Sequence, residues 1–136
     1  MFYPVIWVEG FPKTKGSWTP VYTTKSIKFR PASKGAANWF KYSKEIIKLN
    51  WKWPMIVMKP VSVILEFHLP KPKTVKREYP ISKYDGDIDK FCRAIFDAMT
   101  GSVYEDDSQV VKVYLEKKYE NPCGVLIYIK EIGGQS

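Results

Sequence analysis

Val61-Ser62-Val63-Ile64-Leu65-Glu66-Phe67-His68-Leu69 sets an apolar side chain at every odd position, and this alternation predicts a β-strand with one face buried. Downstream, Ile88, Phe91, Cys92, Ile95, Phe96 and Met99 recur along one helix face, and Gly101 follows as a natural stop. Between the two, Pro70 to Pro80 carries Lys71, Lys73, Lys76 and Arg77 among prolines, which predicts a mobile basic loop. After the helix, Val111, Val113 and Leu115, then Val125, Ile127 and Ile129, alternate on either side of Asn121, Pro122 and Gly124, the pattern of an antiparallel hairpin. Upstream, Ala36, Trp39, Phe40, Ser43, Ile46, Ile47 and Asn50 predict a helix of roughly 15 residues, with Ser33 as its candidate N-cap and Pro54 as its limit. Tyr3 to Glu9 reads as a short strand apolar on both faces, Phe11 to Arg30 as a basic, aromatic loop or ragged hairpin, and Gly133 to Ser136 as a frayed tail. The order is β-loop-α-β-α-β-β. The economical fold is α+β, a single mixed β-sheet with two helices packed on it, in one domain over residues 1–136.

Composition excludes several classes. With 45% hydrophobic and 26% charged residues, and five Trp, nine Tyr and seven Phe, the chain holds enough apolar surface to offset its conformational entropy, so general disorder is excluded. Its apolar runs fall well short of the roughly 18 residues that cross a bilayer, and Met1 to Gly10 lacks a charged n-region, so neither a membrane span nor a signal peptide is expected. Cys92 and Cys123 lie far apart and His68 is the lone histidine, which argues against a zinc site or a disulfide framework.

The net charge of +8 points to a polyanionic partner, and its distribution says more. Residues 1–84 hold 16 basic and 4 acidic side chains, whereas residues 85–136 hold 6 and 10. Seven of the 14 acids (Asp85, Asp87, Asp89, Asp97, Glu105, Asp106 and Asp107) stand between positions 85 and 107, beside only Lys90 and Arg93. A basic body neutralises phosphates, while clustered carboxylates are the hard oxygen ligands that Mg²⁺ or Mn²⁺ prefers. Together they point to metal-dependent chemistry on nucleic acid.

Helix capping alone would explain Asp87 as N-cap and Asp89 in the first turn. It does not explain Glu105-Asp106-Asp107, three adjacent carboxylates whose repulsion a cation would relieve. If the following strand returns along the helix, Asp107 is expected to approach the helix start and join Asp87 and Asp89. Asp85-Gly86-Asp87-Ile88-Asp89 also looks like the opening of an EF-hand loop, but that motif needs Gly where Lys90 stands and Glu where Phe96 stands.

Asp87-Ile88-Asp89, Arg93, Phe96-Asp97-Ala98 and Asp106-Asp107-Ser108-Gln109-Val110-Val111 together resemble the signature of the RusA-type Holliday junction resolvases. That pattern is an Asp-x-Asp-Asn step, a basic residue one turn on, an Asp-Ala on the same helix, and an Asp-Asp-x-Gln-Val opening a strand. The resemblance is concentrated in residues 85–115. It implies a small homodimeric, Mg²⁺-dependent endonuclease of phage, prophage or bacterial type that nicks opposing strands of four-way DNA junctions in the cytoplasm of a bacterial or phage-infected cell, with Mn²⁺ as a possible substitute. By the same resemblance Asp87, Asp89 and Asp107 are the metal-binding and catalytic carboxylates, with Asp106 in support, and Arg93 is catalytic. Two positions depart from the family: Lys90 replaces the usual Asn and Arg93 the usual Lys. Arginine keeps the charge and can fork onto a phosphate, but it cannot donate a proton at neutral pH.

Lys71, Lys73, Lys76, Arg77 and Lys90 are the candidate DNA contacts, together with Lys13 and Lys15 in Pro12-Lys13-Thr14-Lys15-Gly16, which echoes a basic loop of the family. Asp97 is explained by an i,i+4 pair with Arg93, Trp18, Tyr22 and Phe29 as core aromatics, and Cys92 and Cys123 as structural, while His68, a lone histidine on a strand face with Glu66, is assigned no role. Two other functions use the same residues or part of them: a non-catalytic nucleic-acid-binding module, and a metal-dependent nuclease for flaps or nicks. The acidic cluster disfavours the first, because it repels DNA; only a substrate panel separates the second.

Overall fold

A computed structural model describes the backbone of residues 3–13, 18–22, 27–31 and 36–133, and the side chains of these except 18–22, 27–31 and 36–38. The readings of Lys15, of Ser33 as a cap, of the Trp18, Tyr22 and Phe29 side chains and of the last three residues lie outside it. The elements are β1 (Ile6–Glu9), β2 (Trp18–Tyr22), β3 (Ile27–Pro31), α1 (Ala36–Asn50), β4 (Val61–Leu69), α2 (Ile88–Met99), β5 (Val110–Tyr119) and β6 (Gly124–Glu131).

The alternation in β4 is borne out: Val61, Val63, Leu65, Phe67 and Leu69 are all buried, while Ile64 on the opposite face is 38% exposed. That buried face meets Ile6 and Val8 of β1, Val125, Ile127 and Ile129 of β6, and the apolar sides of both helices. Trp39 and Ile47 come from α1, and Phe91, Ile95, Ala98 and Met99 from α2. The helices touch each other, and both lie on one side of the sheet. The class is therefore the α+β arrangement read from the sequence, two helices on one four-stranded mixed sheet. Among the described residues no helix is long and apolar enough to cross a membrane.

One expectation changes. The strand order is β1-β6-β4-β5, so β5 and β6 do not form a hairpin. β4 lies between them, antiparallel to β6 and parallel to β5, and Glu120 to Cys123 cross its end, with Glu120 N donating to Leu69 O at 3.1 Å. β4-α2-β5 is thus a parallel crossover unit, in which the helix runs back against both strands. β5 is left at the sheet edge, where its alternate apolar residues are not covered: Val111 is 59% exposed and Val113 47%. Upstream, of the loop or ragged hairpin read from the sequence, the hairpin holds: β2 pairs β3 antiparallel as a separate two-stranded sheet.

Candidate active site and DNA-facing surface

Asp87 is the N-cap of α2, as the sequence suggests, but its side chain makes no capping hydrogen bond. The carboxylate instead faces Lys90 Nζ at 3.6 Å and remains 58% exposed. Capping therefore does not account for it. Asp89 is exposed in the first turn, and Arg93 is exposed one turn further along the same side of the helix.

Glycine at position 86 is required by the approach to this helix. Its backbone holds φ at +96°, and a Cβ there would lie inside the Phe91 ring, which is itself stacked on Phe67 at 5.1 Å. Asp85, immediately before it, belongs to a different group of contacts from the other carboxylates. Its carboxylate accepts from Arg77 Nη2 at 3.1 Å, from Ser82 N at 3.0 Å and from the Tyr119 hydroxyl at 3.1 Å, and its side chain is only 9% exposed. Lys117 Nζ donates to Gly86 O at 2.8 Å. The end of β5 thus clamps the start of α2, and the segment predicted as a mobile loop is tied down at Arg77.

The second acidic group opens β5. Asp106 caps a single 3-10 turn over Asp107–Gln109, its carboxylate accepting from Ser108 N at 3.1 Å. Gln109 joins that turn to the rest of the molecule. Its Oε1 accepts from Glu105 N at 3.0 Å and Asp106 N at 3.1 Å, while its Nε2 donates to Ile56 O at 3.0 Å and Lys59 O at 3.2 Å. The Asp107 carboxyl titrates above its ordinary range because of burial first, then Asp106 and the charge of Asp97. Burial, then the charges of Asp107 and Asp89, push the buried Cys92 thiol up to about 11. Asp89 and Asp107 therefore act on the same point of α2.

The end of β5 meets Gly86, so the strand runs back along the helix. Asp107, at its start, stands beside the body of α2: its charge reaches Cys92 and that of Asp97 reaches it. Among the described residues no group of three or more Asp, Glu, His or Cys side chains stands close enough to hold a metal ion. The donors are nonetheless of the right kind: Asp87, Asp89 and Asp107 are hard oxygen ligands, and Asp107 sits in a field of like charge that a cation relieves. Mg²⁺ commonly takes only one or two protein carboxylates and completes its shell with water and substrate phosphate.

Of the proposed DNA contacts, Lys71, Lys73 and Lys76 are exposed, Lys13 is half-buried beside them in a cleft, and Lys90 faces Asp87. Arg77 is committed to Asp85. Sequence reading missed Asp85, Lys117, Tyr119 and Gln109 as organisers of the site. Gln109 stands within the acidic motif, whereas Asp85 is one acid among seven in the sequence and its partner Tyr119 is distant along the chain.

Comparison with known protein families gives one match. The family described as Endodeoxyribonuclease RusA matches residues 11–130. The chain is also similar to the Uncharacterized protein YqaN of Bacillus subtilis (strain 168), 26% identical over 137 residues that cover 92% of this chain and 94% of that protein.

Proposed function

The chain belongs to the RusA family of endodeoxyribonucleases, Holliday junction resolvases, and from that premise we propose that it nicks four-way DNA junctions with Mg²⁺ as cofactor. Asp87, Asp89 and Asp107 hold the metal on this reading, and the observation that carries it is Asp87, an N-cap residue whose carboxylate does not cap. These carboxylates would hold a divalent cation, which would supply Lewis acidity toward the scissile phosphate and the attacking water. Asp106 stabilises the turn that presents Asp107. Arg93, one turn beyond Asp89, meets the phosphate and offsets charge developing on it, a role that requires no proton transfer. Lys71, Lys73 and Lys76 hold flanking phosphates, with Lys13 at the edge of the cleft. Two copies related by a two-fold axis would place paired nicks on opposing strands, so the active form is taken to be a homodimer.

The test is substitution of the carboxylates. Asp89→Asn and Asp107→Asn should each abolish Mg²⁺-dependent cleavage while leaving junction binding in EDTA within a few-fold of wild type. Full activity in either variant would remove that residue from the site.

A further inference from the structure

The basic segment that precedes α2 and the chain leaving β1 line a cleft of about 580 Å³. Its lining includes Phe11, Lys13, Val75, Arg77, Tyr84 and Asp85. Two aromatic rings of this lining are exposed, Phe11 by 61% and Tyr84 by 88%, the latter more than any other exposed ring among the described residues. Lys83 Nζ stands 5.3 Å from the Tyr84 ring centroid, so a cation accompanies that ring. The Arg77 Nε is buried without a hydrogen-bond partner although the same guanidinium pairs with Asp85 through Nη2. Asp85 does not make the cleft anionic, because its carboxylate is already occupied by three donors.

We propose that this cleft is a binding site for an unpaired nucleotide, its base stacked on Phe11 and Tyr84 and its phosphate met by Lys13 and Lys83. Bases inside a duplex offer no free ring face, whereas an unpaired base offers two, and stacking on aromatic side chains is tolerant of sequence. The charge of the surroundings selects among possible occupants. An apolar peptide would gain nothing from Lys13, Lys71, Lys73, Lys76 and Lys83, whereas a nucleotide uses the rings and the cations together. Tyr84 precedes Asp87 by only three positions, so a nucleotide held here lies on the segment that leads into α2. The site therefore deepens the junction-resolving reading and rests on it: it supplies discrimination for DNA that contains unpaired bases over continuous duplex.

The experiment measures binding in EDTA, so that no strand is cut, with three DNAs: a four-way junction, a linear duplex and a single-stranded oligonucleotide. The first and third carry a fluorescent adenine analogue, in the junction at its centre. Wild type should change the analogue's emission, and the double variant Phe11→Ala/Tyr84→Ala should lose that change. Its affinity for the single strand should fall about tenfold or more while duplex affinity moves less than about twofold. Tyr84→Phe, which keeps the ring, should retain the wild-type signal. An unchanged signal in the double variant, an equal loss of duplex affinity, or a Tyr84→Phe variant as weak as the alanine would overturn the proposal. If wild type does not prefer the junction to the duplex, the resolvase reading fails, and the single-strand signal still decides the cleft on its own.

Discussion

Removing the Asp85 carboxylate strips the Arg77 guanidinium, the Tyr119 hydroxyl and the Ser82 amide of the acceptor they share. Two of these groups lie on different segments, so Asp85→Ala should lower unfolding free energy by about 2–4 kcal/mol in urea titration, more than a surface carboxylate could cost. Gln109→Leu preserves volume but loses all four hydrogen bonds that fix the acidic turn. Its stability should drop by about 1–3 kcal/mol. If the turn presents a metal ligand, its kcat should fall while substrate affinity holds. Asp107 gives a pH signature. Its raised native pKa means that the folded protein holds that proton more tightly than the unfolded chain does. The associated stability is complete below about pH 4, the unfolded carboxyl range, and is lost as pH rises through the native value. Without metal, Asp107→Asn should therefore melt slightly above wild type at pH 7 and no differently at pH 3, as thermal scans at the two pH values would detect.

At the scale of elements, the approach to α2 is set by sterics. Gly86→Ala would force a Cβ into the Phe91 ring from a left-handed backbone, so a loss of about 2 kcal/mol or more is expected, with hydrogen exchange accelerated first in α2's opening turn. The same scale shows why some of the fold was legible and some was not. The β4 and α2 patterns record burial directly, because a period of two or of nearly four is what one buried face requires. Pairing is not recorded in that way. Val111, Val113 and Leu115 alternate as a strand should, but alternation does not name the neighbour, and the short Glu120–Cys123 connection suits a hairpin as well as a crossing over β4. The parallel crossover could have been weighed against the hairpin from the strand-helix-strand order alone. For the site, the crossover runs β5 back along α2, so that Asp107, at the start of the strand, stands beside the body of the helix and shares Cys92 with Asp89.

For the molecule as a whole, charge carried most of the functional signal. A basic chain with half its acids within one short stretch is an economical description of a nucleic-acid enzyme with an anionic centre, and the family match over residues 11–130 agrees with it. What charge could not reveal is the division of labour among the carboxylates. Asp85 supports the fold, Asp106 caps a turn, and Asp87 is left with its carboxylate exposed and uncapped. That division follows from partners brought in by tertiary structure. The most direct test of the central claim is cleavage of a labelled four-way junction compared with linear duplex and flap DNA, each with Mg²⁺ or EDTA. Paired, Mg²⁺-dependent nicks on opposing strands of the junction are expected, with the duplex intact; metal-independent cutting, or equal cutting of all three DNAs, would contradict a Mg²⁺-dependent junction resolvase.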